Sequence, residues 1–103
     1  ADARERAPMT QKIEVETTDL NQVREALDAG ADVIMLDNMT TERMREAVDV
    51  IRDRAGDTVA IEASGNIMVD RLPELADVGL DYISSGALTH SVEVADLSLR
   101  LAM

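Results

Sequence analysis

The chain of 103 residues contains no cysteine, and this absence excludes disulfides, zinc–thiolate sites and thiol chemistry. Phenylalanine and tryptophan are also missing, so the sequence lacks the aromatic platforms on which nucleic-acid bases stack. Basic residues are scarce, because 10 Lys and Arg stand against 21 Asp and Glu for a net charge of −11. Since nucleic-acid binding needs a basic surface, we expect no nucleic-acid partner.

Long apolar runs are absent as well. The longest aliphatic run is Val33–Leu36, which is far too short to cross a membrane, and the segment Ala1–Arg6 has no apolar signal region. We therefore expect a cytoplasmic protein with no membrane partner. Hydrophobic residues make up 46% of the chain, which is enough for a core, and the length fits a single domain over residues 1–103.

Hydrophobic periodicity divides the chain into alternating strands and helices. Four short aliphatic or β-branched stretches predict strands: Ile13–Thr17, Val33–Asp37, Thr58–Ala63 and Tyr82–Ser85. Helices are predicted after each of them: from Asp19 to Gly30, from Thr40 or Thr41 to Gly56, from Asp70 to Gly79, and from about Ser91 to the C-terminus. This βα alternation predicts a parallel sheet with helical crossovers.

Three local patterns refine this prediction. Asp19 with Gln22 fits a helix capping box. The segments Gly30–Ile34 and Gly79–Ile83 share one spacing of glycine, aspartate and aliphatic residues, which is typical of a helix-to-strand loop and indicates no function. The first ten residues fit the end of a helix stopped by Pro8, so we expect the chain to be part of a longer one.

The polar residues at the predicted strand ends are the candidate site. Ligands of parallel α/β folds bind outside the carboxyl ends of the strands. Four neighbouring ends carry Glu16, Asp37, Ser64-Gly65 and Gly86. Carboxylates there can hold sugar hydroxyls or Mg²⁺, and glycine-bearing turns offer N–H groups to a phosphate. The combination favours a phosphorylated sugar as ligand.

Each of these features also has an ordinary structural interpretation. Glu16 alone would be an exposed strand-end carboxylate, and Asp37-Asn38 is typical of a turn or cap pair. Ser64–Asn66 fits a tight turn between strand and helix, and His90 fits an exposed position beside a helix cap. The functional interpretation therefore depends on the coincidence of the four strand ends.

Charge adds an independent expectation. Glu14, Glu16, Asp37 and Glu62 would converge on one face of the sheet, whereas Lys12 is the only lysine of the chain. Because unpaired buried carboxylates are costly, either this face is open to water or another polypeptide supplies cations to it.

The same residues carry a resemblance that runs over nearly the whole chain. The matching segments are Lys12–Glu16, Ala29–Asn38, Met44–Val48, Glu62–Ile67 and Gly79–Ser91. In this order and spacing they resemble the C-terminal part of the quinolinate phosphoribosyltransferases, which are glycosyltransferases of the pentosyltransferase type. The resemblance implies a reaction of NAD biosynthesis, in which quinolinate and phosphoribosyl pyrophosphate give nicotinate mononucleotide, pyrophosphate and CO₂ with Mg²⁺.

The resemblance also implies residue roles. Glu16 and Asp37 match the acidic pair that holds the ribose hydroxyls and helps place the metal and pyrophosphate. Glu62 matches an interior carboxylate that pairs with lysines of the family. The remaining matches are to the 5′-phosphate site: Ser64, Gly65, Asn66, Gly86 and His90.

The family's barrel is only partly represented. Its catalytic domain is an incomplete α/β barrel, and this chain matches four βα units of that TIM-like barrel. The Arg-Lys-Thr, His-Arg and Lys-Asp-Asn-His motifs that grip quinolinate have no counterpart here. We therefore expect an enzyme fragment that is inactive alone. The alternatives are a non-catalytic half-barrel, natural or engineered, and a phosphate-binding module without transfer activity.

A partial barrel has exposed sheet edges and an uncovered inner face. We expect the isolated chain to form a homo-oligomer in which two copies approximate a barrel, or to adopt an open, flavodoxin-like sheet with helices on both faces.

Overall fold

The computed structural model describes residues 12–84 and 92–96. Its strands are β1 (Glu14–Thr17), β2 (Val33–Asp37), β3 (Ala60–Ser64), β4 (Tyr82–Ile83) and β5 (Val92–Glu93). Its α-helices are α1 (Leu20–Asp28), α2 (Thr41–Ala55) and α3 (Leu72–Leu75), the last preceded by a 3₁₀ turn over Val69–Arg71. None of the helices in these two ranges combines the length and the apolar composition needed to cross a membrane.

The sheet follows chain order, β1-β2-β3-β4-β5. The pairs from β1 to β4 are parallel, which confirms the predicted parallel sheet, whereas β5 pairs antiparallel with β4. A flavodoxin-like sheet has its second strand outside its first. The strand order observed here therefore differs from the open flavodoxin-like alternative.

The prediction of a helix from Ser91 was wrong at its start. Val92 and Glu93 form β5 opposite Ile83 and Tyr82, and helical geometry begins only at Val94. The local helical spacing is overridden because this segment pairs with the edge of β4 and the N–H of Val94 donates to the carbonyl of Asp81 at 2.9 Å. Strand β5 therefore adds an antiparallel edge to the expected parallel sheet.

Other boundaries also shift. Strand β3 begins at Ala60 rather than Thr58, because Thr58 donates from both its N–H and its hydroxyl to the carbonyl of Ala55 and so closes the end of α2. The third helix covers only Leu72–Leu75 of the predicted Asp70–Gly79, with Pro73 in its first turn.

The predicted starts of the first two helices are confirmed by their caps. The Asp19 carboxylate accepts the N–H of Gln22 at 2.8 Å, and the Gln22 side chain accepts the N–H of Thr18 at 2.6 Å. Helix α2 begins after Thr40, whose hydroxyl accepts the N–H of Arg43 at 3.1 Å. These bonds satisfy N–H groups that the first turn of a helix leaves without partners.

One face of the sheet carries the core. Side chains alternate along a strand, and those on this face are almost all fully buried: Thr17, Ile34, Leu36, Ile61, Ala63 and Ile83. The apolar ones among them belong to one cluster with apolar residues of the helices such as Val23, Met44 and Ile51. The helices therefore cover this face and leave the opposite one, where polar and apolar side chains mix, without helices in the described part of the chain.

The repeated glycine–aspartate spacing has a structural role that the sequence did not reveal. Asp32 exchanges two hydrogen bonds with Ile13, one through its N–H and one through its carboxylate, at 2.8 and 2.9 Å. Asp81 makes the same pair of bonds with Ile61, at 2.8 Å each. Each aspartate thus fixes the register between its own strand and the neighbouring one.

Asp81 has a second partner that strengthens this arrangement. The guanidinium of Arg52 donates to the Asp81 carboxylate at 3.0 Å and to the carbonyl of Val59 at 2.8 Å. Charge-assisted bonds of this kind are stronger than neutral ones. Arg52 therefore connects the end of α2 to the start of β3 and β4.

We predict that Asp81→Ala lowers the free energy of unfolding by about 1–3 kcal/mol, because it removes both the bond to Ile61 and the charge-assisted bond to Arg52. Urea unfolding measures the change. Asp53→Ala, at an exposed position of α2, is the control and should stay within about 0.5 kcal/mol of the wild type. Equal effects of the two substitutions would contradict the proposed role of Asp81.

Candidate functional site

The face opposite the core, called here the open face, carries four of the six predicted site residues that the structure describes. It is formed by Glu14, Glu16, Val33, Met35, Asp37, Ala60, Glu62, Ser64 and Tyr82. Glu16, Met35, Glu62 and Tyr82 lie in register across four strands. The expectation that Glu14, Glu16, Asp37 and Glu62 share one face is therefore confirmed.

Asp37 and Ser64 form the next row towards the carboxyl ends. They are register partners, and the Ser64 hydroxyl donates to Asp37 Oδ1 at 3.3 Å. Asp37 lies two residues beyond Met35, the register partner of Glu16, so both carboxylates are on the open face of adjacent strands. The predicted arrangement of Glu16 and Asp37 is confirmed, while their roles stay predictions.

The three carboxylates differ in exposure. Glu16 is exposed and Asp37 is half-buried, whereas Glu62 is only 7% exposed between Met35 and Tyr82. Solvent-accessible carboxylates can accept bonds from a ligand without a large desolvation cost. Glu16 and Asp37 are therefore available to a ligand at the strand ends, and Glu62 belongs to the interior of the face.

The turn after β3 approaches the turn after β2 closely. The N–H of Asn66 donates to Asn38 Oδ1 at 3.2 Å, and the N–H of Asn38 donates to the carbonyl of Ser64 at 3.1 Å. Gly65 has a φ of +108°, and a Cβ built on it would lie 2.6 Å from Asn38 Oδ1. Only glycine fits there, which agrees with a backbone turn held in a defined position.

Two predicted site residues lie outside the described residues. Gly86 and His90 fall in the segment 85–91, so their proximity to Ser64–Asn66 stays a prediction.

The carboxylates of the described residues do not form a complete metal site. Within residues 12–84 and 92–96, no group of three or more His, Cys, Asp or Glu side chains is arranged to hold a metal ion. Mg²⁺ is usually bound by one or two carboxylates together with substrate phosphates and water. Glu16 and Asp37 therefore fit a magnesium ion that arrives with a phosphorylated ligand, and do not form a complete protein site.

Sequence reasoning missed Asn38 and Arg71. Arg71 donates to the carbonyl of Met39 at 2.8 Å and to the Thr41 hydroxyl at 3.2 Å, beside a cavity of about 340 Å³ at the start of α2. Nothing local in the sequence marks these contacts, because they join residues some thirty positions apart. For Asn38, its place directly after Asp37 was the only available indication.

The strands that form the open face carry no cations. None of the five described strands contains lysine or arginine, and the described arginines lie on helices or on the 3₁₀ turn. Lys12 precedes β1, at the end of the strand opposite Glu16. The described chain therefore offers acceptors to a ligand at the strand ends, but no fixed positive charge on the strands.

Comparison with known proteins assigns the chain to a family. The family model described as "Quinolinate phosphoribosyl transferase, C-terminal domain" matches residues 1–100. The chain belongs to that family. The sequence is 46% identical over 100 residues to a probable nicotinate-nucleotide pyrophosphorylase (carboxylating) of Methanocaldococcus jannaschii, covering 94% of the chain and 35% of the relative.

Two further relatives agree. The human nicotinate-nucleotide pyrophosphorylase (carboxylating) is 39% identical over 99 residues, covering 96% of the chain and 33% of that protein. The structure of the nicotinate-nucleotide pyrophosphorylase from Francisella tularensis superimposes with a TM-score of 0.68 at 35% identity, covering 88% of the chain and 32% of that structure. The chain therefore spans about a third of the length of the relatives it matches.

We predict that Gly65→Ala destabilises the chain more than Gly56→Ala. Both glycines have positive φ, at +108° and +58°, but a Cβ at Gly56 meets nothing within 4 Å. Because its ψ of −130° lies outside the left-handed helical region, Gly56→Ala reports the cost of an unfavourable backbone conformation without a clash, about 1–3 kcal/mol. Gly65→Ala adds the clash with Asn38.

Urea unfolding compares the two variants, and NMR amide shifts locate the change. Gly65→Ala should shift the amide signals of Asn38 and Asn66, which Gly56→Ala should leave in place. Identical stability losses with no shift at Asn38 would show that the close approach is not real.

Proposed function

We propose that this chain forms the ribose-phosphate part of a quinolinate phosphoribosyltransferase. That enzyme converts quinolinate and phosphoribosyl pyrophosphate to nicotinate mononucleotide, pyrophosphate and CO₂. The observation that carries the proposal is the placement of Glu16 and Asp37 on one face, beside the glycine turn of the next strand end, in a chain of this family.

The carboxylates act on the ribose in this proposal. Glu16 and Asp37 accept hydrogen bonds from the ribose hydroxyls, which fixes the sugar at the strand ends. Breaking the anomeric bond builds oxocarbenium-like positive charge, and carboxylates fixed nearby stabilise that charge without reorganisation. A bound Mg²⁺ would be held by Glu16 and Asp37, and it would neutralise charge on the pyrophosphate.

The turn after β3 takes the 5′-phosphate. Ser64 offers its hydroxyl to the phosphate by turning it away from Asp37, to which it donates in the free chain, and Gly65 lets the backbone approach a ligand closely. Because Asn38 occupies the N–H of Asn66, Asn66 contributes through its side-chain amide. Gly86 and His90 complete this phosphate site in the proposal.

Glu62 serves the interior of the barrel. It is in register with Glu16 through Met35, and its burial favours a role in pairing with lysines that the rest of the enzyme supplies. Quinolinate is a dianion and phosphoribosyl pyrophosphate carries further negative charge, so the complete site needs such cations.

The fold supports a partial TIM-like barrel. Parallel strands in chain order, with helices on one face, are the arrangement from which an α/β barrel is built. In the complete barrel the open face would line the interior.

The alternative function is a non-catalytic half-barrel that self-associates through this face. Contact between two copies would bring acidic faces together and would need salt to screen them. Homo-oligomerisation stays a prediction, which light scattering tests.

We predict that the purified chain makes no nicotinate mononucleotide from quinolinate and phosphoribosyl pyrophosphate at millimolar Mg²⁺, because the described strands carry no lysine or arginine to bind the quinolinate carboxylates. Activity should appear when the absent N-terminal two thirds of a relative are added. Product well above background from the chain alone would overturn the fragment interpretation. A mixture that stays inactive although the two parts associate would contradict the proposed reaction.

We predict that Asp37→Asn weakens Mg²⁺-dependent binding of ribose 5-phosphate by about tenfold or more. Stability should change by less than about 0.5 kcal/mol, because Asp37 is half-buried and accepts only a long bond from Ser64. NMR titrations with and without Mg²⁺ measure the effect, with Asp53→Asn as the control. If ribose 5-phosphate binding depends on Mg²⁺ equally in the wild type and in Asp37→Asn, Asp37 does not help to hold the metal.

A further inference from the structure

We propose that Asn38 is a positioning residue that fixes the Gly65–Asn66 turn against the end of β2, and thereby sets where the phosphate of a ribose phosphate binds. The inference rests on the proposed function. It adds a residue for which the family resemblance gave no role.

The backbone of Asn38 is the first observation. Among the described residues it is the one residue other than glycine with positive φ, at +55°. Asparagine tolerates this left-handed conformation better than most residues, but the conformation still has an energetic cost. Such conformations persist where surrounding contacts hold them, and they concentrate at functional sites.

The hydrogen bonds that hold Asn38 join it to the last residue of β3 and to the turn after it. Its N–H donates to the carbonyl of Ser64 at 3.1 Å, and its Oδ1 accepts the N–H of Asn66 at 3.2 Å. The adjacent Asp37 accepts the Ser64 hydroxyl at 3.3 Å. The left-handed turn therefore aims the Asn38 side chain across to the neighbouring strand end.

Close packing makes the position of the turn depend on Asn38. An added Cβ on Gly65 would come within 3.0 Å of Asn38 Cγ and within 3.0 Å of its backbone nitrogen. Two strand ends packed this closely cannot shift independently. Asn38 thus keeps the Asp37 carboxylate at a fixed distance from the turn that is proposed to hold the phosphate.

Two variants separate the parts of this role. Asn38→Gly keeps the left-handed backbone accessible but removes the acceptor for Asn66. Asn38→Asp keeps an oxygen acceptor in the same place and adds a negative charge. Asn21→Ala, which removes an exposed asparagine from α1, is the control.

Amide exchange measured by NMR is the first readout. The Asn66 N–H should exchange about three- to tenfold faster in Asn38→Gly, which corresponds to the loss of one hydrogen bond. The exchange rates of the core amides of Ile34 and Ile61 should be unchanged in Asn38→Gly. Asn38→Asp, which retains the acceptor, should keep the wild-type exchange rate at Asn66. If Asn38 merely stabilised the fold, Asn38→Gly would also accelerate amide exchange in the core.

Binding of ribose 5-phosphate is the second readout. Asn38→Gly should bind it several-fold more weakly at low and high salt. Asn38→Asp should show a loss that salt reduces, since its added charge is screened.

The outcomes separate the inference from the proposed function. Unchanged Asn66 exchange in Asn38→Gly, or faster exchange with unchanged binding, overturns the positioning role. If the wild-type chain binds no ribose 5-phosphate, the proposed function is contradicted. The role of Asn38 in ligand binding is then overturned too, because it rests on the proposed function. This holds even if the exchange rates show that Asn38 fixes the turn.

Discussion

The one-sided burial of the sheet is the constraint on which the rest of the molecule depends. Because β1 to β4 follow one another in parallel order, alternation sends Ile34, Ile61 and Ile83 to the face covered by helices. The same alternation sends Glu16, Glu62 and Tyr82 to the open face. A shift of register by one residue would exchange the two sets. The core and the candidate site are therefore determined by the same pairing.

The register is held at both ends of the strands, by different means. At the amino ends, Asp32 and Asp81 bond to the neighbouring strand, and Arg52 reinforces the second of them. At the carboxyl ends, the contacts run between the turns, through Asn38 and Ser64. In α/β barrels the amino end serves stability and the carboxyl end serves ligands. The division seen here agrees with the proposed placement of the ribose-phosphate site.

Features that depend on neighbouring residues could be predicted from the sequence. The cap at Asp19, the start of α2 and the common face of Glu16 and Asp37 all follow from local spacing and strand alternation. Features that join distant residues could not. The glycine–aspartate repeat was visible, but its bonds to Ile13 and Ile61 cross between strands, and β5 forms because an edge was available to pair with.

The central claim is that a phosphorylated ribose binds at the ends of β1 to β3 on the open face. Mapping amide shifts during titration with ribose 5-phosphate and Mg²⁺ tests it most directly. The account predicts the largest shifts at Gly65 and Asn66, with smaller ones at Glu16 and Asp37. The largest shifts at Thr41 and Arg71, beside the cavity at the start of α2, would place the phosphate elsewhere and contradict the account.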